Sequence, residues 1–409
     1  MLSSTSSVLF ATFSLWSSGQ RMPTNGNLEP LRDYLVPRVR RLVLIDQPHP
    51  GSDRTMPTIE EYVSRAQKPN RFHSSRWLYL IEWLLVVTNS NKTNLFFKVR
   101  DFLSVTDWVL RDKSRYNYFV GMESINTLAG IVLKKIGLVD EVIYYVLDYS
   151  PNRFSPLLNK AYLALDRWCL THSDYVWDVS RAIQPARIIM GLDNSKCAPV
   201  IHVPIGIYPG QLMNAPVKRR WPKSLCYMGT LTYEQGPDLA VKAMPLILKR
   251  YPGAKLHIVG GGQENLNRLK KLTSDLRLTK SVKFYGFVPK NDDMASILSR
   301  CMVGVAPYRN IPGSIRQYAD ASKLRSYAAA ALPIVTTQVP PLGTELSLTG
   351  GAVIVPDTPK NVADAVMKLF SDRLVYDKMR EALINFAREN TWENEFDKAF
   401  AKSQREREV

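Results

Sequence analysis

Short apolar runs rich in Val, Ile, Tyr and Phe alternate along this chain with longer amphipathic stretches. This alternation predicts βαβ units, because a buried parallel strand is a short apolar run and its crossover helix carries one apolar face. Helices are predicted over Gly236–Arg250, Ser322–Ala331 and Asn361–Phe370. The predicted strands are Val8–Phe13, Arg41–Asp46, Tyr118–Met122, Val142–Leu147, Tyr175–Val179, Val200–Val203, Leu225–Met228, Lys255–Val259, Val282–Phe284, Met302–Ala306, Ile334–Thr336 and Val353–Val355.

The two strand series are separated by a predicted linker, Pro209–Pro222, which holds turn residues and the basic run Lys218–Arg220. We therefore expect an α/β protein with two doubly wound domains, residues 1–210 and 221–375. A charged helical stretch, 376–409, follows and could cross back to the first domain. Ligands of such sheets bind at the carboxyl ends of the strands, so we expect the site in a cleft between the domains.

Composition narrows the class of partner. The chain has 409 residues, of which 45% are hydrophobic and 22% charged, with a formal net charge of +17. This excess favours an anionic partner such as nucleic acid, phospholipid head groups or a phosphorylated small molecule. The basic residues are spread along the chain, which weakens the nucleic-acid interpretation. The 4 cysteines form no C-x-x-C and the 5 histidines no H-x-H, so we expect no metal site.

Membrane contact is predicted at a surface rather than across a bilayer. The longest apolar candidate, Trp77–Val87, is too short to span and contains Glu82. Met1–Trp16 lacks a basic n-region and is interpreted as containing a strand, which favours a cytoplasmic protein. In the segment from Arg65 to Arg115, basic residues alternate with aromatic ones, which suits an anionic lipid surface. The alternative is a pair of packed helices with a solvated basic rim.

Two stretches of the second half are candidates for binding a phosphate. Gly260, Gly261 and Gly262 follow a strand and precede a helix, where backbone N–H groups can approach an anion; they could equally form a tight turn. Further on, a helix begins near Ser322, with Asp320 or Ser322 as its expected cap. Lys323 in its first turn opposes the helix dipole, which indicates a bound anion there; the alternative is a solvated lysine.

The strand–loop–helix A-P-Y … Y-A-D-A-S-K-L-R-S-Y-A-A-A-A-L-P-I-V resembles the donor site of GT-B glycosyltransferases, above all the xanthan-type glucuronosyltransferases. The stretches M-E-S, I-Y-Y-V-L-D-Y-S and S-D-Y-V-W-D-V-S match in order, so the resemblance covers about residues 115–335. It implies transfer of a sugar from a UDP donor to a lipid-linked acceptor at the inner membrane face, with no metal or other cofactor.

The resemblance also assigns residues to the donor site. The family's donor-site Tyr and Lys fall on Tyr308 and Lys323. Its donor-site Gln and Met fall on Ser326 and Ser322, and a Glu of its nucleotide pocket falls on Phe287. These departures leave the base and the sugar of the donor open.

The family's general base falls on Asp148. Asp148 follows an apolar strand at its carboxyl end, where a carboxylate can take the proton of an acceptor hydroxyl in an inverting transfer. The alternative is a turn or helix cap at Asp148–Asn152. Glu123 ends another strand and is the reserve base; with Ser124 it could instead cap a helix.

Other features separate this interpretation from its relatives. Retaining GT-B enzymes carry E-x7-E beside the donor helix, where this chain has Tyr318 and Ser326, so inversion is favoured. No two aspartates are spaced as D-x-D, the metal motif of GT-A transferases. Trp16–Asn27 follows the first strand and could line the acceptor side or form a surface turn.

We therefore predict a cytoplasmic, peripherally membrane-bound, inverting GT-B glycosyltransferase of surface-polysaccharide synthesis. Its expected partners are a nucleotide-sugar donor, a lipid-linked saccharide acceptor and an anionic membrane surface, without nucleic acid. Two rivals remain: a nucleotide-sugar epimerase of the same fold, and a non-catalytic protein that binds a nucleotide sugar or nucleic acid.

Overall fold

The chain forms two compact units in a computed structural model that describes residues 2–22, 26–68, 71–72, 80, 83, 94–212, 219–288 and 291–408. Met1–Pro204 and Glu395–Val409 make the first unit, and Ile205–Asn394 makes the second. Each unit is built on its own largely parallel sheet. The predicted α/β class, with two Rossmann-like sheets, is confirmed, and every predicted strand is present with ends that differ by a few residues.

The first unit has a sheet in the order β11-β10-β9-β8-β1-β4-β5-β6, with β7 paired to β5. From β11 to β4 all neighbours are parallel, and β5 to β7 form an antiparallel edge. The strands are β1 (Ser7–Ser14), β4 (Arg41–Pro48), β5 (Thr58–Val63), β6 (Ala66–Gln67), β7 (Arg71–Phe72), β8 (Tyr116–Met122), β9 (Val139–Val146), β10 (Tyr175–Asp178) and β11 (Val200–His202), and a separate hairpin pairs β2 (Trp16–Ser17) with β3 (Gln20–Arg21).

The helices of the first unit mostly connect parallel strands, as in other doubly wound folds. The chain passes from β1 to β4 on one side and to β8 on the other, so its order reverses between β1 and β8. The helices are α1 (Leu28–Leu35), α2 (Asn94–Asp112), α3 (Glu123–Lys135), α4 (Pro156–His172) and α5 (Ile183–Ile189).

The antiparallel strand β5 had no counterpart among the predicted strands because it contains two glutamates, which a buried strand rarely tolerates. Glu60 and Glu61 are nonetheless only 4% and 3% exposed. Arg21 pairs with Glu60, and Arg41 and Lys68 pair with Glu61. A buried carboxylate needs such partners, and they come from distant parts of the chain that no local pattern reveals.

The second unit has a six-stranded parallel sheet in the order β14-β13-β12-β15-β16-β17, which reverses between β12 and β15. The predicted helices at Gly236–Arg250, Ser322–Ala331 and Asn361–Phe370 are present within two residues at each end. Its elements are β12 (Ser224–Met228), α6 (Pro237–Arg250), β13 (Lys255–Val259), α7 (Gln263–Asp275), β14 (Val282–Gly286), α8 (Asn291–Arg300), β15 (Val303–Ala306), α9 (Ser322–Ala329), β16 (Ile334–Thr336), α10 (Pro341–Leu348), β17 (Ala352–Ile354), α11 (Pro359–Ser371) and α12 (Arg373–Glu389).

The start of the second unit lies before residue 210, the end of the domain expected from sequence. Ile207 forms a parallel bridge with Thr391, which fixes this stretch within the second unit. Arg220, at the end of the expected linker, is 5% exposed and donates to the carbonyls of Cys301, Ala330 and Ala331. Long-range contacts of single residues therefore set this boundary, whereas turn residues and charge suggested a later one.

The charged C-terminal stretch is not one helix. It breaks after α12 and resumes as α13 (Trp392–Glu408), whose residues from Glu395 onward belong to the first unit. There Asp397 accepts a hydrogen bond from Tyr34, and Phe400 lies edge-on to Trp177. No helix among the described residues is both long and apolar enough to cross a membrane.

Candidate active site

A cavity of the second unit lies at the carboxyl ends of β12 and β15, where the strand order reverses. This is the position at which doubly wound sheets bind ligands. The cavity has a volume of about 130 Å³. It is lined by Met228, Gly229, Thr230, Gln235, Tyr308, Arg316, Ala319, Asp320, Ala321, Ser322, Lys323 and Pro340.

Lys323, predicted to bind an anion, lies in this cavity and is only 4% exposed. Its Nζ donates to the Tyr227 hydroxyl at 3.0 Å and lies 4.7 Å from the centre of the Tyr308 ring. Burial, and then the nearby Arg316, lower the pKa of Lys323 well below its usual value. A buried ammonium is costly without a negative partner, so this side chain is poised for an anionic ligand.

Tyr308 occupies the end of β15 as the sequence predicted. It is 4% exposed, and its carbonyl accepts a hydrogen bond from Thr337 at 2.8 Å. Burial raises the pKa of its phenol, which keeps the hydroxyl protonated at neutral pH. Tyr308 therefore forms a rigid neutral wall beside the Lys323 ammonium.

Arg316 is a second cation of the cavity, and no sequence pattern singled it out. It is half-buried, and its Nε makes no hydrogen bond to the described residues. Its charge acts on Lys323, Tyr227 and Tyr308, so it lies close to all three. Its position inside an irregular loop carries no periodic signal, which is why sequence patterns could not single it out.

Asp320 also lines the cavity but is already neutralised. Its Oδ2 accepts from Arg325 Nε and from the backbone N–H of Ile205, each at 2.8 Å. The expectation that Asp320 or Ser322 caps α9 is therefore wrong, because Ala321 is the capping residue and no side chain caps this end within the described structure. The first turn of α9 thus presents its N–H groups beside two cations.

The glycine run Gly260–Gly262 lies next to Gly229, a residue that lines the cavity. A Cβ on Gly260 would lie 2.1 Å from the carbonyl oxygen of Gly229, which does line the cavity. Gly262 has φ of 99° and is the residue before α7. Only glycine fits the first position without a clash and the second without strain, so the run is required by a close turn. Of the described lining residues, none is Gly260, Gly261 or Gly262.

Of the remaining residues assigned to the donor site, one lines the cavity and two do not. Ser322 lines the cavity, whereas Ser326 lies one turn further along α9 and donates to the carbonyl of Ser322 at 3.2 Å. Phe287 is 60% exposed, and its Cβ would be 3.2 Å from a Cβ placed on Gly261. The cavity therefore unites Tyr308, Ser322 and Lys323 and adds Thr230, Gln235 and Arg316.

In the first unit, Asp148 and Glu123 come together at the carboxyl ends of β9 and β8. The backbone N–H groups of Asp148 and Leu147 donate to Glu123 Oε1 at 3.1 and 3.2 Å. Arg153 Nη1 lies 3.6 Å from Glu123 Oε2 and donates to the Asp148 carbonyl at 2.8 Å. Asp148 itself is exposed, with its carboxylate at the surface of the unit. The cap of α4 is Ser155, so Asp148 does not cap that helix.

Glu123 has an unusual backbone. Its φ is 66°, a left-handed conformation that costs a non-glycine residue on the order of 1–3 kcal/mol. Met122, not Glu123 or Ser124, precedes α3 as its cap. Burial raises the pKa of the Glu123 carboxyl, the Arg153 guanidinium lowers it and the Asp148 charge raises it further. Its oxygens hold the Asp148 backbone, so Glu123 serves to fix Asp148 in place.

In the segment expected on the acceptor side, β2 and β3 form a hairpin that is hydrogen-bonded to Asp46 of β4. Trp16 Nε1 donates to Asp46 Oδ2 at 3.1 Å, and Arg21 Nε donates to the same oxygen at 2.9 Å. Burial raises the pKa of Asp46 to about 6. Residues 23–25 of the expected loop, and most of the aromatic and basic segment before α2, lie outside the described residues.

A larger groove, of about 700 Å³, lies at the opposite, amino-terminal edge of the first sheet. Of its charged side chains, Arg115 pairs with Asp140, and Lys134 pairs with Asp174. Ligands of doubly wound sheets bind at the carboxyl edge, so we do not take this groove as the active site. No cluster of His, Cys, Asp and Glu in the described part of the chain could hold a metal ion.

Comparison with known proteins bears on both units. Residues 212–390 match the profile of the family described as "Glycosyl transferases group 1". An uncharacterized glycosyltransferase of Methanocaldococcus jannaschii is 29% identical over 172 residues, 42% of this chain and 40% of the relative. The glycogen synthase of Mycobacterium tuberculosis (strain H37Rv) is 29% identical over 146 residues, 36% of this chain and 32% of the relative. The matches thus span well under half of these curated relatives.

The overall fold has matches of full length. The crystal structure of Anabaena HepE in complex with UDP covers 97% of this chain and 100% of its own, with a TM-score of 0.66 and 14% identity. The predicted closer likeness to xanthan-type glucuronosyltransferases stays a prediction. The chain has the GT-B fold, and its residues 212–390, which match the group 1 glycosyltransferase profile, include all the residues that line the cavity around Lys323.

Proposed function

We propose that this protein is an inverting glycosyltransferase that moves a sugar from a nucleoside-diphosphate donor, UDP in our assignment, to a lipid-linked saccharide. The observation that carries the proposal is the cavity of the second unit, where Lys323 and Arg316 have no salt-bridge partner among the described carboxylates. The group 1 match of residues 212–390 and the UDP complex of HepE support a nucleotide-sugar donor.

The donor's diphosphate would take the place of the anion that this cavity lacks. Lys323 and Arg316 would bind its oxygens together with the N–H groups at the start of α9, and Tyr308 and Thr230 would complete the pocket. These groups stabilise the negative charge that builds on the diphosphate as the bond to the sugar breaks. The proposal gives this task to protein cations, so transfer should persist in the presence of EDTA.

Asp148 is the base in this proposal. The acceptor hydroxyl oxygen attacks the anomeric carbon, the bond from that carbon to the diphosphate breaks, and UDP leaves with the electron pair. The hydroxyl proton passes to the Asp148 carboxylate, which is exposed at a strand end. Glu123 and Arg153 position Asp148 through its backbone N–H and carbonyl. A single attack from the side opposite the diphosphate inverts the anomeric configuration.

The net positive charge of the chain supports the proposed acceptor and the proposed location in the cell. A chain with a formal charge of +17 is drawn to anionic surfaces, and a lipid-linked saccharide is presented at such a surface. We therefore propose a peripheral protein at the inner face of the cell membrane that acts in surface-polysaccharide synthesis.

The test is product analysis with a panel of UDP-sugars and polyprenyl-linked saccharides. The proposal predicts UDP release that depends on the acceptor, and a product whose new linkage has the inverted anomeric configuration by NMR. Isomerisation of the donor without an acceptor would establish the epimerase instead. Donor binding without turnover would leave a binding protein, and salt-dependent binding of arbitrary oligonucleotides would identify a nucleic-acid partner.

A further inference from the structure

A stripe of exposed apolar side chains follows the outer surface of α4 in the first unit. Leu157 and Leu158 are 82% and 61% exposed, and Phe154 just before the helix is 42% exposed. Ala161 and Ala164 are exposed at the following helical positions. Residues at i, i+4 and i+7 share one face of a helix, so Leu157, Ala161 and Ala164 form a continuous apolar line on the solvent side.

The opposite face of α4 already has its own packing partners. Cys169 and Leu170 are fully buried, and the carboxylate of Asp166 is buried against Arg187. The outer leucines are therefore not needed for the core of the unit. Large exposed apolar residues in a contiguous row mark a binding surface more often than a plain solvated face.

The end of α5 extends this surface. Ile188, Ile189 and Met190 are 48%, 84% and 38% exposed. The Arg167 guanidinium of α4 donates to the carbonyl of Met190, which joins the two helices at this point. We call these residues the α4 surface: Phe154, Leu157, Leu158, Ile188, Ile189 and Met190.

The charges around the α4 surface are basic. Lys160 and Arg167, seven residues apart, lie along one flank of the apolar line, and both are exposed. From Arg153 to Lys196 the chain has four carboxylates, Asp166, Asp174, Asp178 and Asp193. Arg187 pairs with Asp166 and Asp178, Lys134 pairs with Asp174, and Lys196 pairs with Asp193. Each carboxylate is thus neutralised by a cation, and the exposed Lys160 and Arg167 give the surface a positive potential.

We infer that the α4 surface docks on an anionic phospholipid membrane. An interfacial helix buries apolar side chains at the boundary of head groups and acyl chains while Lys and Arg beside them contact anionic head groups. Phe154, Leu157, Leu158 and Ile189 supply the first contact, and Lys160 and Arg167 the second. The test below separates this occupant from a protein partner with an acidic rim and from a second copy of this chain.

The location of this surface fits the proposed function. The role we give to membrane docking, bringing the acceptor to the enzyme, rests on that proposed function. The loop from Asp148 leads directly into α4, and Arg153 within it donates to the Asp148 carbonyl. A membrane held by the start of α4 would thus bring lipid-linked saccharides close to the proposed base. The aromatic and basic segment before α2, which the sequence favoured for this role, lies mostly outside the described residues.

The experiment is co-sedimentation of the purified full chain with phosphatidylcholine vesicles, with and without phosphatidylglycerol. The inference predicts binding that requires the anionic lipid and weakens with salt. Leu157→Ser/Leu158→Ser should lower the partition coefficient about tenfold or more, because each change removes apolar area from the lipid contact. Leu348→Ser/Leu374→Ser is the matched control, since these leucines are 85% and 67% exposed in the second unit.

A charge reversal tests how much the contacts of Lys160 and Arg167 with anionic head groups contribute to vesicle binding. Lys160→Glu/Arg167→Glu should lower binding by about tenfold or more, whereas Arg268→Glu/Lys270→Glu, an exposed pair on α7, should lower it far less. Equal effects of the two pairs would show that only the net charge matters and would overturn the inference. So would leucine variants that bind as the parent does, or that convert a dimer to a monomer in light scattering without any change in lipid binding.

UDP binding measured on the same proteins keeps the two proposals apart. Vesicle binding at the α4 surface in a chain that UDP does not stabilise would refute the proposed donor and leave the docking surface standing. Transfer from a UDP-sugar by a chain that does not bind vesicles would do the reverse.

Discussion

The two candidate sites place charge in opposite ways. In the second unit, Lys323 and Arg316 lie in a cavity where Asp320, the one carboxylate among the described lining residues, is already paired with Arg325. In the first unit, Glu123 is held by two backbone N–H groups and Arg153, while Asp148 keeps its carboxylate at the surface. One site is completed by an anion, and the other holds a negative charge that can accept a proton. This difference is what a transfer from a diphosphate to a hydroxyl requires.

The largest expected effect separates the base from the donor cavity. Asp148→Asn should lower kcat by roughly 10²–10⁴-fold, the usual contribution of a general base, because an amide cannot take the acceptor's proton. UDP affinity should stay within about twofold of the parent, because the change leaves the donor cavity intact. Single-turnover transfer and calorimetric titration with UDP measure the two quantities. Asp140→Asn, at the opposite end of β9, is the control, and full activity in Asp148→Asn would remove it as the base.

The cations should show the reverse pattern. Lys323→Met and Arg316→Ala should each weaken UDP binding roughly 10- to 100-fold, the value of a hydrogen bond to a charged group. Uridine, which lacks phosphates, should bind the variants and the parent alike. Arg309→Ala is the matched control because Arg309 pairs with Asp238 beside this loop. A loss of uridine binding equal to that of UDP would indicate a collapsed pocket instead of a missing phosphate contact.

A change at Glu123 tests whether it positions Asp148 or acts as the base itself. Glu123→Gln keeps an oxygen that can accept the N–H groups of Leu147 and Asp148 but removes the charge. Because the contacts with the N–H groups of Leu147 and Asp148 remain, the variant should keep Asp148 in place. The loss of kcat at the optimum should stay below about tenfold, whereas a loss as deep as that of Asp148→Asn would make Glu123 the base.

The smallest effect is a pH dependence of donor affinity. Burial lowers the pKa of Lys323, so a fraction of the protein molecules lose this proton at a pH below the usual lysine pKa of 10.5. A bound diphosphate favours the charged form, so UDP affinity should fall as pH rises, and Lys323→Met should abolish this trend. Titrations should begin above about pH 7, where the terminal phosphate of UDP is fully ionised. A slope that persists in Lys323→Met would assign the pH dependence to another group.

The sequence predicted the two sheets better than it predicted the sites. Apolar runs sufficed for the strands, whereas Asp148, Tyr308 and Lys323 were singled out by strand-end or helix-start positions together with the resemblance, and their roles stay predictions. The antiparallel strand β5 escaped because Glu60 and Glu61 are neutralised by residues far away in the chain. Arg316 escaped for a different reason, since it lies in an irregular loop without a periodic pattern and only the folded loop brings it to Lys323. Partners that are distant in sequence leave no local pattern.

The glycine run fits two interpretations at once. A glycine-rich strand-to-helix turn indicated a phosphate contact, which stays a prediction, and Gly260 is also needed because the Gly229 carbonyl lies where its Cβ would be. Close packing of two strand ends and close approach of a phosphate demand the same residue. Sequence alone could not separate these two causes.

The central claim is that the cavity around Lys323 is a nucleotide-sugar donor site, and thermal stabilisation by nucleotides tests it most directly. A ligand that binds the native state raises its stability by an amount set by the ligand concentration relative to its dissociation constant. We predict that UDP, and one UDP-sugar more strongly, raises the melting temperature of the parent and far less that of Lys323→Met. No shift with any nucleotide, or an equal shift in parent and variant, would contradict the donor site.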